Sequence, residues 1–236
     1  MNKKYYYTTK EYTNELYDSG LRKYLLNIYN YISIGLTITG ATAFIIAKIP
    51  ELFNLFFETP LRWILLFAPI GVIFYLSAKI QQMTLNKAQT IFWIFSILTG
   101  ISLAYIPYLY EGESLARVFL VTAGTFGTMS LYGHTTNKDL TAMGSLMMMG
   151  LLGTILASIV NLFFSSTAVE FAICMIGVIS ATGLIAWDTQ KIRQSYLEGE
   201  SKEITSKKAI MGALNLYLNI INLFSFLLRL IGERKN

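Results

Sequence analysis

Five polar side chains near the C-terminus, Asn215, Asn219, Asn222, Ser225 and Arg229, are spaced four, three, three and four residues apart. That interval places them on one face of a helix, with Leu216, Tyr217, Ile220, Leu223 and Leu227 opposite. Amide, hydroxyl and guanidinium groups in such a stripe can bond to neighbouring helices or line a polar cavity. Interhelical bonds of this kind are worth only about 0.6 kcal/mol each, and a five-membered stripe that includes an Arg favours the cavity. Asp188 is the second residue of interest. It ends an uncharged run from Phe171 to Trp187, so it is either an interfacial carboxylate opening a polar loop or a titratable group held below the head groups.

The remaining chemistry-bearing residues form no catalytic or metal constellation. His134, the one histidine, reads as a solvated side chain in a short loop. Thr136 and Asp139 have the spacing of a helix-capping pair. The chain contains no Gly-x-Ser-x-Gly elbow, phosphate loop or His-Glu-x-x-His, so an enzymatic reading has no motif to stand on. One cysteine, Cys174, excludes an intramolecular disulfide, and one Cys with one His argues against a high-affinity metal site or a cofactor held through them.

The elements that position these residues follow from hydropathy. Of 236 residues, 54% are hydrophobic and 14% charged, with a mean hydropathy of +0.49. A soluble domain carries roughly 25% charged residues. Crossing the roughly 30 Å hydrocarbon layer takes about twenty apolar residues in a helix. Seven stretches qualify, at about 24–47, 61–79, 88–110, 115–134, 142–164, 168–188 and 209–230. The expected fold is an all-α integral membrane bundle of seven transmembrane helices, in one domain over 24–230, with the polar-striped last helix inside. Residues 1–23 form a polar N-terminal segment and 231–236 a short polar tail. The division between the fifth and sixth spans rests on Asn161, Ser165, Ser166 and Thr167, because 140–169 carries no charge. Close helix approaches are expected at Gly153 with Ala157, at Gly177 with Ala181, and around Gly124, Gly127 and Gly133. The run Met147, Met148 and Met149 reads as adaptable packing.

The net charge of +5 comes from basic residues at the ends of the apolar runs, so the expected partners are membrane lipid head groups and not nucleic acid. With the N-terminus in the cytoplasm, thirteen Lys and Arg fall on the inner side and six on the outer. This favours a cytoplasmic N-terminus, and a first helix kept as an anchor. Seven crossings then leave Arg229, Arg234 and Lys235 outside, and a re-entrant last helix is the alternative.

Three segments carry a family resemblance: Gly127–Leu140, Ala186–Ile192 (Ala-Trp-Asp-Thr-Gln-Lys-Ile) and Ala213–Phe224 (Ala-Leu-Asn-Leu-Tyr-Leu-Asn-Ile-Ile-Asn-Leu-Phe). They resemble the bacterial branch of the Bax inhibitor-1 family of membrane proteins. The resemblance covers all seven spans and implies a final helix surrounded by the other six, in the bacterial inner membrane. It implies a calcium leak that responds to pH or, as the alternative, a regulator that binds a membrane-bound ATP-dependent protease without transporting. Eukaryotic members are associated with protection against cell death. The family's sensor is a pair of aspartates in the sixth and seventh helices. Asp188 matches the first, and the second falls on Asn219.

That departure matters, because two close carboxylates share a proton and titrate together, whereas an Asp–Asn pair does not. Lys79 is the nearest match to a basic partner that some relatives carry in the second helix. The implied pathway and gate therefore comprise Asp188, Asn219, Asn215, Asn222 and Arg229. Calcium takes six to eight oxygen ligands, and one carboxylate with a few amides would bind it weakly, which suits permeation better than storage.

Overall fold

The computed structural model describes residues 3–235, with side chains from Ser19 onward except that of Leu66. The side chains of Lys3, Lys4, Lys10, Glu11, Glu15 and Asp18, which make up most of the charge expected in the N-terminal segment, lie outside the described residues, as do Met1, Asn2 and Asn236 altogether.

The described chain is helical: α1 (Lys3–Lys48), the short α2 (Pro50–Phe57), α3 (Leu61–Lys79), α4 (Leu85–Ser102), a one-turn α5 (Tyr105–Leu109), α6 (Gly112–Thr135), α7 (Thr141–Phe164), α8 (Thr167–Ser195) and α9 (Lys202–Ile231). Seven of these stretches are long and apolar enough to cross a membrane: Ser19–Lys48, Leu61–Gln82, Leu85–Leu109, Gly112–Thr135, Thr141–Phe164, Thr167–Ser195 and Lys202–Ile231. The seven-helix expectation therefore holds. Three helices clearly overrun their expected ends. The first begins at Lys3, the sixth span continues through Asp188 to Ser195, and the seventh begins at Lys202. Hydropathy stops at the first charges, but the backbone hydrogen-bond ladder does not.

The uncharged stretch between the fifth and sixth spans breaks by local side-chain chemistry. Ser165 takes the left-handed conformation (φ 48°). The Asn161 amide closes the turn on Ser166, accepting from its N–H at 3.0 Å and donating to its carbonyl at 3.1 Å. Ser166 then caps α8 by accepting from Val169 N–H at 3.4 Å. The proposed capping pair at the start of α7 does not form. Thr136 and Asp139 each accept a bond two residues on, from Lys138 and Thr141, which is turn chemistry.

The last helix is central. More than half of its membrane window, 56%, is buried, against 6% for α7. It packs against α8, α1, α6 and α4, while α3 lies against α4 and α7 against α8. The enclosure is thus made mainly by four helices, with α3 and α7 behind them. α9 is unbroken, and its C-terminal tail binds the connection that follows α5. Glu111 N–H donates to Glu233 O (3.0 Å), Lys235 N–H to Leu109 O (2.9 Å) and Glu233 N–H to Ser114 Oγ (2.9 Å). That connection lies at the end of the bundle opposite the α8–α9 loop, so α9 runs from one end of the bundle to the other.

The small-residue contacts divide. A Cβ on Gly133 would lie 2.1 Å from Ala186 O, and one on Gly177 would lie 2.6 Å from the Phe226 ring, while Gly124, Gly127 and Gly153 face open space. Gly133 thus seats α6 against α8 two residues before Asp188.

Candidate functional site

Asp188 and Asn219 meet. Asn219 Nδ2 donates to Asp188 Oδ2 at 2.6 Å, and both side chains are buried, with relative exposures of 7% and 5%. A charged group in such a place needs a hydrogen-bond partner, and the facing amide is the one the described residues supply. The pair stands beside a cavity of about 230 Å³ at the N-terminal end of the bundle, which Asp188, Lys191, Lys207, Lys208, Asn215 and Tyr24 help to line. Asp188 is its one carboxylate.

The cavity's basic groups come from α8 and α9. Lys207 pairs with Glu203 at 2.9 Å. Lys208 pairs with Glu200 at 2.6 Å and donates to Ser195 O at 3.1 Å. Lys191 lies over the Trp187 ring, 5.1 Å from its centroid. Lys79, the expected basic partner, is not part of this group. It is exposed and donates to Gln82 Oε1 at 3.3 Å, because the end of α3 turns it along its own helix.

The amide stripe on α9 does not face inward as a unit. Asn219 alone among its five members is buried. Asn215 is exposed at the cavity, Asn222 and Ser225 are half-buried, and Arg229 is exposed with its guanidinium 5.5 Å from the Phe226 ring centroid. The fully enclosed face is the apolar one expected to lie opposite, Leu216, Tyr217, Ile220, Leu223 and Leu227. Burial of large apolar side chains in the helix packing outweighs the weak interhelical amide bonds. Of the stripe, Asn215 alone lines the cavity, and Asn219 reaches it only through its bond to Asp188.

Three further polar arrangements position the pair. Gln190 accepts from Leu140 N–H at 2.9 Å and donates to Lys138 O at 2.7 Å. Arg193 donates to the carbonyls of His134 and Thr136. Together they fix the α6–α7 connection onto α8. Tyr29, Ser130 and Thr189 form a chain, with contacts of 2.7 and 3.3 Å, that ends on Ile185 O at 2.8 Å. Tyr217, fully enclosed, meets Thr39 Oγ1 at 2.6 Å. Gln190 and Arg193 lie beyond the expected end of the sixth span at 188, in the part of α8 that continues to Ser195.

Comparison with known proteins reaches nearly the whole chain. A family model described as inhibitor of apoptosis-promoting Bax1 matches residues 21–236. A protein of Rickettsia prowazekii is 44% identical over 223 residues, covering 94% of each chain. One from Caulobacter vibrioides is 40% identical, covering 92% of this chain and 91% of its own. The inner membrane protein YbhL of Escherichia coli is 39% identical, covering 92% of this chain and 94% of its own.

Proposed function

This chain belongs to the Bax inhibitor-1 family, and on that premise we propose that it is a passive cation pathway of the bacterial inner membrane, with calcium as the ion and its gate at Asp188 and Asn219. The supporting observation is the 2.6 Å bond that ties the one carboxylate lining an end-opening cavity to the most enclosed helix of the bundle. Below the pair, Tyr217, Ile220 and Leu223 fill the interior, so the arrangement corresponds to a closed state. Opening requires α9 to move relative to α8, and separating Asn219 from Asp188 is the first step. The remaining site residues take graded roles in this reading: Asn215 at the mouth, Asn222 farther along α9, and Arg229 at the opposite end. Lys191, Lys207 and Lys208 replace Lys79 as the basic groups, two of them neutralised by Glu203 and Glu200.

Orientation with the N-terminus in the cytoplasm belongs to the same proposal and follows the excess of Lys and Arg on that side. The cavity then opens to the cytoplasm. Calcium flux into liposomes containing the purified protein is the test. Flux above that of empty liposomes, altered by Asp188→Ala, supports the pathway. Flux equal to the empty control for both proteins refutes it.

A second reading, a non-transporting regulator of a membrane-bound ATP-dependent protease, has one feature in its favour. The α8–α9 loop is a charged surface held in shape by Lys208, Glu200 and Ser195. Loss of protease regulation on replacing Glu198 and Lys202, exposed on that surface, with flux unchanged, would favour it.

A further inference from the structure

α1 and α6 both pack on α9, yet they stand apart over much of their length. They meet at Tyr29, whose hydroxyl bonds Ser130 and whose ring meets Phe126 edge-on at 6.3 Å. On the N-terminal side of that contact lies a groove of about 580 Å³, walled by Leu21, Leu25, Leu26, Phe126, Gly127 and Leu131. Arg22 and His134 stand at its mouth, and the Tyr29 and Ser130 hydroxyls lie at its inner end. Gly127 keeps it wide, since nothing lies within 4 Å of the position its Cβ would take. Both walls belong to membrane spans, so the groove opens sideways into the bilayer.

Arg22 is exposed and makes no ion pair among the described residues. The seven residues from Arg22 to Tyr29 rise about 10 Å along the helix, so a charge at the interface is followed by an apolar channel reaching part-way into one leaflet. That order, a cation at the rim and hydrocarbon walls beneath, complements an anionic phospholipid, with its phosphate at the rim and an acyl chain below. At the inner end the Tyr29 and Ser130 hydroxyls are bonded to each other, so the end wall presents no unsatisfied polar group to an acyl chain.

We propose that the α1–α6 groove is a binding site for an anionic phospholipid, with the phosphate at Arg22 and an acyl chain lying along Leu25, Phe126 and Gly127. The site is separate from the Asp188 cavity. It is joined to α8 through the Ser130–Thr189 contact and through the Arg193 bond to His134 O.

Native mass spectrometry of the full chain in detergent, titrated with phosphatidylglycerol and with phosphatidylcholine of the same acyl chains, tests this. One cation near the surface corresponds to about a fivefold preference for the anionic lipid. Arg22→Gln should abolish that preference, and Gly127→Leu should weaken both lipids by obstructing the channel. Gly153→Leu, which also faces open space, should leave both unchanged. Equal binding of the two lipids by the wild type, or a Gly127→Leu protein that binds as the wild type does, would overturn the proposal. Because the readout is lipid binding, its outcome is independent of whether the protein passes calcium.

Discussion

Asn219 on α9 holds Asp188 on α8 by a 2.6 Å hydrogen bond in which the amide is the donor. An amide at this place can donate to a carboxylate, and it can equally donate to the carbonyl oxygen of a carboxylic acid. The link between the two helices therefore survives a change in the protonation of Asp188.

Removing the donor leaves a buried carboxyl without its partner. Asn219→Ala should lower stability by about 1.5–3 kcal/mol, the range for a hydrogen bond to a charged group. Thermal or denaturant unfolding in detergent measures it. If the bond also closes the pathway, calcium flux in liposomes should rise in the same variant.

Restoring the family's second acid has the opposite logic. Asn219→Asp places two carboxyl groups at bonding distance, where they share a proton and titrate as a pair. Flux through this variant should acquire a dependence on pH steeper than that of the wild type. Identical pH profiles for the two proteins would show that the positions do not communicate.

Glycine at position 133 is a steric requirement. Gly133→Ala would drive a Cβ into the Ala186 carbonyl, and backbone cannot yield as a side-chain tip can. A loss of about 1–3 kcal/mol is expected, together with altered flux, because the displaced segment carries Asp188. Gly124→Ala, which meets open space, should be neutral or stabilising by up to about 1 kcal/mol. The two melting temperatures, measured side by side, check the contrast.

Asp139, in the loop before α7, gives a pH prediction outside the membrane spans. Bonds from the Thr141 hydroxyl and then its N–H (2.6 and 2.9 Å) favour the ionised carboxylate and hold its pKa below the usual 3.8. A lowered folded-state pKa means that the turn's stabilisation is present above the ordinary carboxylate value and disappears as pH falls through the lowered one. A carbon-detected titration of Asp139 should find its midpoint below 3.8, and Thr141→Val should move it back up.

The spans and the pairing of Asp188 with Asn219 were legible for different reasons. Hydropathy has a length requirement that the bilayer imposes, so seven helices followed directly, and Asn161 with Ser165 and Ser166 marked the break inside an uncharged stretch. The pairing came from segments resembling a known family, since periodicity alone could not say which helix faces Asn219. Periodicity also misjudged the stripe. It groups Asn215, Asn219, Asn222, Ser225 and Arg229 on one side, but which side turns inward depends on the neighbours' shapes, and the larger apolar side chains Leu216, Tyr217 and Leu223 took the interior. The roles of Gln190 and Arg193 were hidden because their partners are backbone groups 50 and 59 residues away, which no local pattern encodes.

The C-terminal tail limits how α9 can act. At one end Lys208 is fastened to Glu200 and Ser195. At the other, Glu233 and Lys235 are laced to Leu109, Glu111 and Ser114. A rod pinned at both ends can neither slide as a piston nor spin as an axle without tearing a fastening. It can bow, and a beam bows most at mid-length, which on Lys202–Ile231 falls near Tyr217 and Asn219.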